Sequence, residues 1–205
     1  MSEQLFADLR AAALLQFHDQ RLGDPGRPVS GTAHFQSGIW SDVEKNHRFN
    51  ARLWDEEDLA RRRAVPDAEV AANKRAIDAF NQGRNDAIER IDEAILERLL
   101  GVMKSAARLH SETAGMMIDR LSILALKIRA MRAQALRGDA DDRHRFACRT
   151  RLERLEEQRN DLAQCLDALL ADCVAGRARF KAYRQFKMYN DPALNPHLKD
   201  ETQAE

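Results

Sequence analysis

Residues 74–92 read KRAIDAFNQGRNDAIERID, and how this stretch is read decides the fold. Ile77, Phe80, Ile88 and Ile91 recur at helical spacing, and the same face continues back to Val70 and on to Ile95 and Leu99. Beside that stripe runs a second row at steps of three or four: Lys74, Asp78, Asn81, Asn85, Glu89 and Asp92. Arg84 falls inside the apolar stripe itself. A long helix with one apolar and one adjoining polar face belongs in a bundle, with the polar face against a seam or cleft.

The boundaries follow outward from it. Pro66 stops the preceding helix and Asp67 is placed to cap this one, which runs to about Leu100, roughly 50 Å at 1.5 Å per residue. Before Pro66, a helix is expected from Ser41 to about Arg63, with Ser41 and Glu44 spaced as a capping box. Residues 3–21 suggest a first amphipathic helix, closed by the breaker-rich 23-GDPGRPVSG-31 and a loop with His34, Phe35 and Trp40. Gly101 to Ala114 break or bend the chain, and a fourth helix spans about Thr113 to Leu136, with Gly138 behind it. Its run 116-MMIDRLSILALKIRAM-131 is apolar around most of the circumference, the mark of the most buried helix. Asp139, Asp141 or Asp142 caps a fifth helix reaching Val174, with Cys148, Leu152, Leu155, Leu162, Leu166, Leu169 and Cys173 on one face. A short basic and aromatic helix, 177-RARFKAYRQFKMY-189, and an irregular tail containing Pro192 and Pro196 complete the chain. No strand pattern is evident. The expected fold is an all-α bundle of about five long helices in one domain, 1–205, divided into an N-terminal helix and aromatic loop (1–40), a bundle core (41–189) and a tail (190–205).

Composition narrows the function classes. The 205 residues carry 33 Lys and Arg against 33 Asp and Glu, so zero net charge argues against a protein built to coat nucleic acid or an acidic membrane. Cys148, Cys165 and Cys173 are odd in number and form no C-x-x-C pair, and they read as small buried residues of a reducing compartment. The first residues show no basic leader, and no apolar run reaches the length of a membrane span. A cytoplasmic location is expected.

The seams then carry the functional reading. On the second helix Val43, Asn46, Asn50, Leu53 or Trp54, Glu57 and Arg61 share a face. The fourth places Asp119, Arg120 and Lys127 within its apolar run, and Arg159 interrupts the stripe of the fifth. Removing one partner of a buried charge pair costs about 3–5 kcal/mol, so these groups must meet each other, water or a ligand. Singly, each fits a solvated edge, and Lys74–Asp78 and Asp86–Arg90 have the spacing of ordinary surface pairs. Together, on three neighbouring helices, they point to a polar cleft.

Glu44-x-x-His47 is a single E-x-x-H where a di-iron bundle needs two. Glu89-x-x-Asp92, with 55-DEED-58 on the preceding helix, resembles part of the acidic signature of all-α nucleoside triphosphate pyrophosphatases, and magnesium on Glu57, Asp58, Glu89 and Asp92 would suit hard oxygen ligands. His18, His34, His144 and His197 read as surface or packing residues, while His47 and His110 border polar seam positions. Arg179, Lys181, Tyr183, Arg184, Lys187 and Tyr189 suit either a phosphate and sugar site or the rim of a packed helix.

The segments 46-NHRFNARLWDEEDLARR-62, 74-KRAIDAFNQGRNDAIERID-92, 109-LHSETAGMMIDRLSILALKI-128 and 183-YRQFKMYNDPALNP-196 resemble a bacterial family known as domain of unknown function 4254. The resemblance implies a setting beside glycosyltransferases of lipopolysaccharide or other surface-polysaccharide biosynthesis. It implies motif positions at Asn50, Trp54, Glu57 and Asp58, at Lys74, Asp78, Asn81, Gln82, Arg84, Asn85 and Asp86, and at Glu112, Asp119, Lys187, Tyr189 and Asn190. Where the family's turn runs Asn-Ser-Glu-Thr-Pro-Gly, this chain has His110 and Ala114 in place of the Asn and Pro.

The combined expectation is a cleft for a phosphorylated sugar or nucleotide sugar. Asn50, Trp54, Lys74, Asn81, Gln82, Arg84, Asn85, Lys187 and Tyr189 would bind the ligand, and Glu57, Asp58 and Asp78 would act as acid, base or metal holder. The alternatives are a non-catalytic glycosyltransferase adaptor, docking through 34-HFQSGIW-40 or the basic C-terminal helix, and a magnesium-dependent nucleotide phosphohydrolase.

Overall fold

A computed structural model describes residues 5–23, 33–185 and 193–196. Among them, a 3-10 turn at Ala7–Leu9 precedes five helices: α1 (Ala11–Gly23), α2 (Ile39–Ala60), α3 (Asp67–Arg98), α4 (Ala114–Ala135) and α5 (Asp142–Val174). Short links make α2–α3 and α4–α5 antiparallel hairpins. α3 packs on α4 to join the hairpins, and α1 lies against α4 and α5. The expected stripes reach the core over part of their length: Ile77, Ile91 and Ile95 of α3, Leu99 at its end, and Cys148, Leu162, Leu166, Leu169 and Cys173 of α5 are buried. Val70, Phe80, Ile88, Leu152 and Leu155 are half-buried. α4 touches all four other helices, which is why Met117, Ile118, Leu121, Leu124, Ala125 and Ile128 can all be apolar and buried.

Two glycines set the helix spacings. A Cβ on Gly83 would collide with the tip of the Phe49 ring, so that ring of α2 seats on α3 because the position is bare. A Cβ on Gly115 would fall 2.7 Å from the Ile88 carbonyl oxygen and 2.8 Å from Asp92 Oδ1, which fixes the approach of α4 to α3.

Several ends differ from the sequence reading. The first helix is shorter than 3–21, because its start at Ala11 is capped from a distance: the Ala11 N–H donates to Asp167 Oδ1 at 2.9 Å. The Ser41–Glu44 capping box does not form. α2 already begins at Ile39 after Gly38 (φ 74°), and Glu44 instead accepts the N–H groups of His34 (2.9 Å) and Phe35 (3.1 Å) from the preceding loop. Asp67 is the first helical residue and caps nothing, with Pro66 at the N-cap. Of the three aspartates before α5, Asp141 is the cap, accepting the His144 N–H at 2.7 Å. Cys148 and Cys173 are buried as expected, whereas Cys165 is exposed.

The largest correction concerns 177–189. Its described part is extended: Ala178–Arg179 (β2) pairs in parallel with Arg108–Leu109 (β1), and the His110 N–H donates to Arg179 O at 2.7 Å. Gly176 turns the chain at φ 68°, and Ala178 and Phe180 then alternate into the core while Lys181 points out. That period of two, and not helix propensity, is what burial rewards here. Residues 186–189 lie outside the described part. No described helix is long and apolar enough to cross a membrane.

The core also holds an imidazole pair. His18 and His47 are both fully buried and stack with ring centroids 4.8 Å apart. Both nitrogens of His18 and Nε2 of His47 lack a partner among the described residues. Burial, with Arg21 and Arg159 adding to it, lowers His47 to about 3, and burial, with His47 and Arg159, holds His18 well below its ordinary value. Because both values lie below that of an unfolded histidine, the folded state gains stability fully above about pH 6.5 and loses it as pH falls toward the folded value. His18→Leu removes two unpaired buried nitrogens at similar volume. It is expected to stabilise by about 1 kcal/mol at pH 8 and by more at pH 5, read as melting temperatures, and equal shifts at both pH values would refute the account.

Candidate functional site

The seam between α2 and α4 is a connected set of polar side chains. Asn46 and Asn50, one turn apart on α2, both donate from Nδ2 to Asp119 Oδ1 on α4, at 2.8 and 2.9 Å. Asn50 Nδ2 also reaches Ser122 Oγ at 3.1 Å, and Ser122 Oγ lies 2.7 Å from His47 Nδ1. The Ser122–His47 distance matches a nucleophile and its base, yet both residues are fully sealed from solvent, so the contact is structural. Glu44 and His47 diverge: Glu44 serves the His34–Phe35 loop and Arg48, and His47 serves Ser122.

Toward solvent this seam opens as a groove of about 410 Å³ between α2, α3 and α4. Asn50, Trp54, Glu57 and Asp58 line it from α2, Asn81 and Arg84 from α3, and Lys127 from α4. A second cleft, of about 340 Å³, continues on the other side of Arg84 past Asn85, Asp92 and Asp119. Arg84 lines both and is their junction. Its Nη2 sits 3.4 Å from Asn85 Oδ1, while its buried Nε has no partner among the described residues.

The lower end of the α3 row is architectural. Asn85 Nδ2 donates to Gln185 Oε1 at 2.8 Å, and the Gln185 N–H donates to Glu89 Oε1 at 3.0 Å, so the row tethers the irregular segment beyond β2. Asp92 Oδ1 accepts the Gly115 N–H at 2.6 Å, serving a free amide of α4's first turn, where Thr113 caps Met116. Burial pushes the Asp92 carboxyl up to about 6 despite its hydrogen bonds with Thr113 and Gly115.

Other expected site residues fall elsewhere. Lys74 and Asp78 pair with each other on the surface, Gln82 donates to Asp86 at 2.7 Å, and none of the four lines the groove. The expected acidic trio is therefore reduced to Glu57 and Asp58, with Glu57 paired to Arg61 at 2.9 Å. Lys187, Tyr189 and Asn190 lie outside the described residues. Glu57, Asp58, Glu89 and Asp92 do not form one magnesium site. Asn73 on α3 bonds Glu56 at 2.7 Å, which places Glu57 beside the Asn73 end of α3, on the order of 20 Å from Glu89 at 1.5 Å per residue. Among the described residues no group of three or more His, Cys, Asp or Glu is arranged to hold a metal. The aromatic loop stays at the surface with His34 and Phe35 exposed, and half-buried Trp40 anchors it, edge-on to Phe17 at 5.5 Å and stacked on Phe35 at 5.6 Å.

A helical bundle whose buried amide–carboxylate seam opens into a two-part polar cleft is the class that fold and site define. The chain belongs to the family described as "Protein of unknown function (DUF4254)", whose model matches residues 40–182, from the start of α2 through β2. Comparison with curated proteins and with solved structures finds no match.

Asp92 gives a pH signature. Its folded value lies above that of an unfolded aspartate, so the stability linked to its protonation is present below about pH 4 and is lost as pH rises through about 6. Asp92→Asn keeps an acceptor for Gly115 without the buried charge. It is expected to match the parent at about pH 3.5 and to be more stable by about 1–3 kcal/mol at pH 7.5 in denaturant titrations. A loss of stability at both pH values would mean that the carboxylate itself is required.

Proposed function

We propose that this protein binds a phosphorylated sugar or nucleotide sugar in the groove between α2, α3 and α4, as a cytoplasmic component of lipopolysaccharide or other surface-polysaccharide assembly in bacteria. The observation that carries the reading is Arg84, a guanidinium at the junction of two polar clefts whose Nε is buried without a described partner. Guanidinium forks match phosphate oxygens, and this one lines both clefts, where a ligand phosphate would meet it. Around it, Asn81 makes no side-chain hydrogen bond with a described residue, and Asn50 gives its Nδ2 to the seam and keeps Oδ1 for a ligand hydroxyl. Trp54 supplies a flat apolar face of the kind on which sugar rings pack. Asp58 is the carboxylate available as acid, base or metal holder. The setting in glycan assembly rests on the family resemblance, which also makes a glycosyltransferase the natural partner.

Thermal melting with a panel of nucleotide sugars and sugar phosphates tests this. A ligand at a hundredfold its dissociation constant stabilises the folded state by about 2.7 kcal/mol, a clear rise in melting temperature. Such a rise is expected for at least one panel member, and Arg84→Met should abolish it. A rise that survives Arg84→Met, or none across the panel, would overturn the proposal.

A further inference from the structure

Beside the polar groove lies a larger one, of about 640 Å³, in the crease between α4 and α5. Lys127, Ala130, Met131 and Gln134 line it from α4, and Arg151, Arg154, Leu155 and Gln158 from α5. Both sets have i, i+3, i+4, i+7 spacing, so two helical ridges face it with apolar residues at their centres. Trp54 closes one end, and Trp54, Met131 and Leu155 are each only half-buried there. The size is that of a ligand pocket.

The rim is cationic. Between Lys127 and Arg151 the chain has eight Lys and Arg against three Asp, so the zero net charge conceals a strongly basic hairpin. Neighbouring Arg132, Arg137 and Arg145 are each held in an ion pair, with Glu156, Asp139 and Asp142. Lys127, Arg151 and Arg154, the three cations on this groove, are exposed and make no ion pair or hydrogen bond with a described residue. Trp54, Asp58 and Lys127 also line the polar groove, so the two run into one another. The Arg132–Glu156 pair sets an antiparallel register with Lys127 at the Gln158 end of the crease and Gln134 at the Arg151 end, and Arg154 also lines the neighbouring cleft with Arg120 and Gln158, on the Lys127 side.

We propose that this groove takes the hydrocarbon chain of an amphiphile whose phosphate head sits at Lys127 and Arg154, where the apolar and polar grooves meet. The apolar floor accounts for the chain, the unpaired cations for the phosphate, and the shared Trp54 for their order along the surface. A lone phosphate would leave the apolar floor open to water, and a neutral lipid would leave three cations facing the single carboxylate of Asp58. The inference deepens the sugar-phosphate reading by making the ligand a lipid-linked sugar phosphate, and that last identification rests on it; the chain-and-phosphate site does not.

Trp54 reports on the site directly. The protein has two tryptophans, so Trp40→Phe leaves Trp54 as the single emitter. Dodecyl phosphate, titrated below its micelle-forming concentration, is expected to shift the emission to the blue and to saturate. Inorganic phosphate should leave the spectrum unchanged, and dodecanol should bind more weakly. Lys127→Gln with Arg154→Gln should weaken dodecyl phosphate binding about tenfold or more. Met131→Glu should abolish it with the far-ultraviolet circular dichroism unchanged. No saturable shift, or equal binding of dodecanol or by the double variant, would overturn the proposal. Melting curves with the sugar panel on the same samples separate the two readings. An Arg84-dependent rise without a dodecyl phosphate response refutes this inference alone. A dodecyl phosphate response without any sugar-dependent rise upholds the chain-and-phosphate site and refutes the sugar reading.

Discussion

The carboxylate of Asp119 accepts the side-chain amides of both Asn46 and Asn50, and the arrangement of the two hairpins depends on that bridge. All three side chains are buried, and each would carry a desolvation cost without the others, so α2 and α4 meet at one register only. Ser122 and His47 extend the bridge inward, where the His18–His47 stack meets the apolar core. In the other direction the bridge reaches the surface, and there the cleft opens. Structural seam and candidate site are thus two ends of one polar layer, which is why Asn50 and Asp119 belong to both.

The polar row of α3 divides along the same logic. Where α3 projects toward solvent, Lys74 and Asp78 satisfy each other. Where it borders the groove, Asn81 and Arg84 keep hydrogen-bonding capacity in hand. Where it meets the rest of the bundle, Asn85, Glu89 and Asp92 fasten the Gln185 segment and the first turn of α4. Bare glycines at positions 83 and 115 bring the partners close enough for this, one beneath Phe49 and the other beneath Asp92. A single helical periodicity therefore carries three roles, set by what stands opposite each turn.

Charge follows the same pattern. The chain is neutral as a whole, which speaks against a uniformly basic coat, but neutrality says nothing about placement. The tip of the α4–α5 hairpin is rich in arginine, while carboxylates on the other elements hold specific partners, such as Asp8 with Arg98 and Asp42 with Arg90. Cations without partners are left along the apolar crease, and the local surplus, not the sum, is what a ligand meets.

The order and approximate span of α2 to α5, their apolar stripes, and the polar seam of Asn50, Trp54, Asn81, Arg84 and Asn85 were legible in the sequence, because 3.6-residue periodicity and breakers such as Pro66 and Gly138 are local signals. The sequence could not assign partners. Asp167 capping Ala11, Glu44 turning to the His34–Phe35 loop, and Asp92 serving Gly115 join residues far apart in sequence or choose among equally spaced candidates, and no local pattern ranks them. The segment after Gly176 shows the limit most clearly. Its composition suits an exposed helix, yet pairing with Arg108–Leu109 and burial of Ala178 and Phe180 make it a strand. What the sequence determined by itself was which faces are apolar and which polar. Only the tertiary structure decided which polar groups neutralise one another and which stay open to a ligand, because that depends on distances between helices that the chain acquires when it packs.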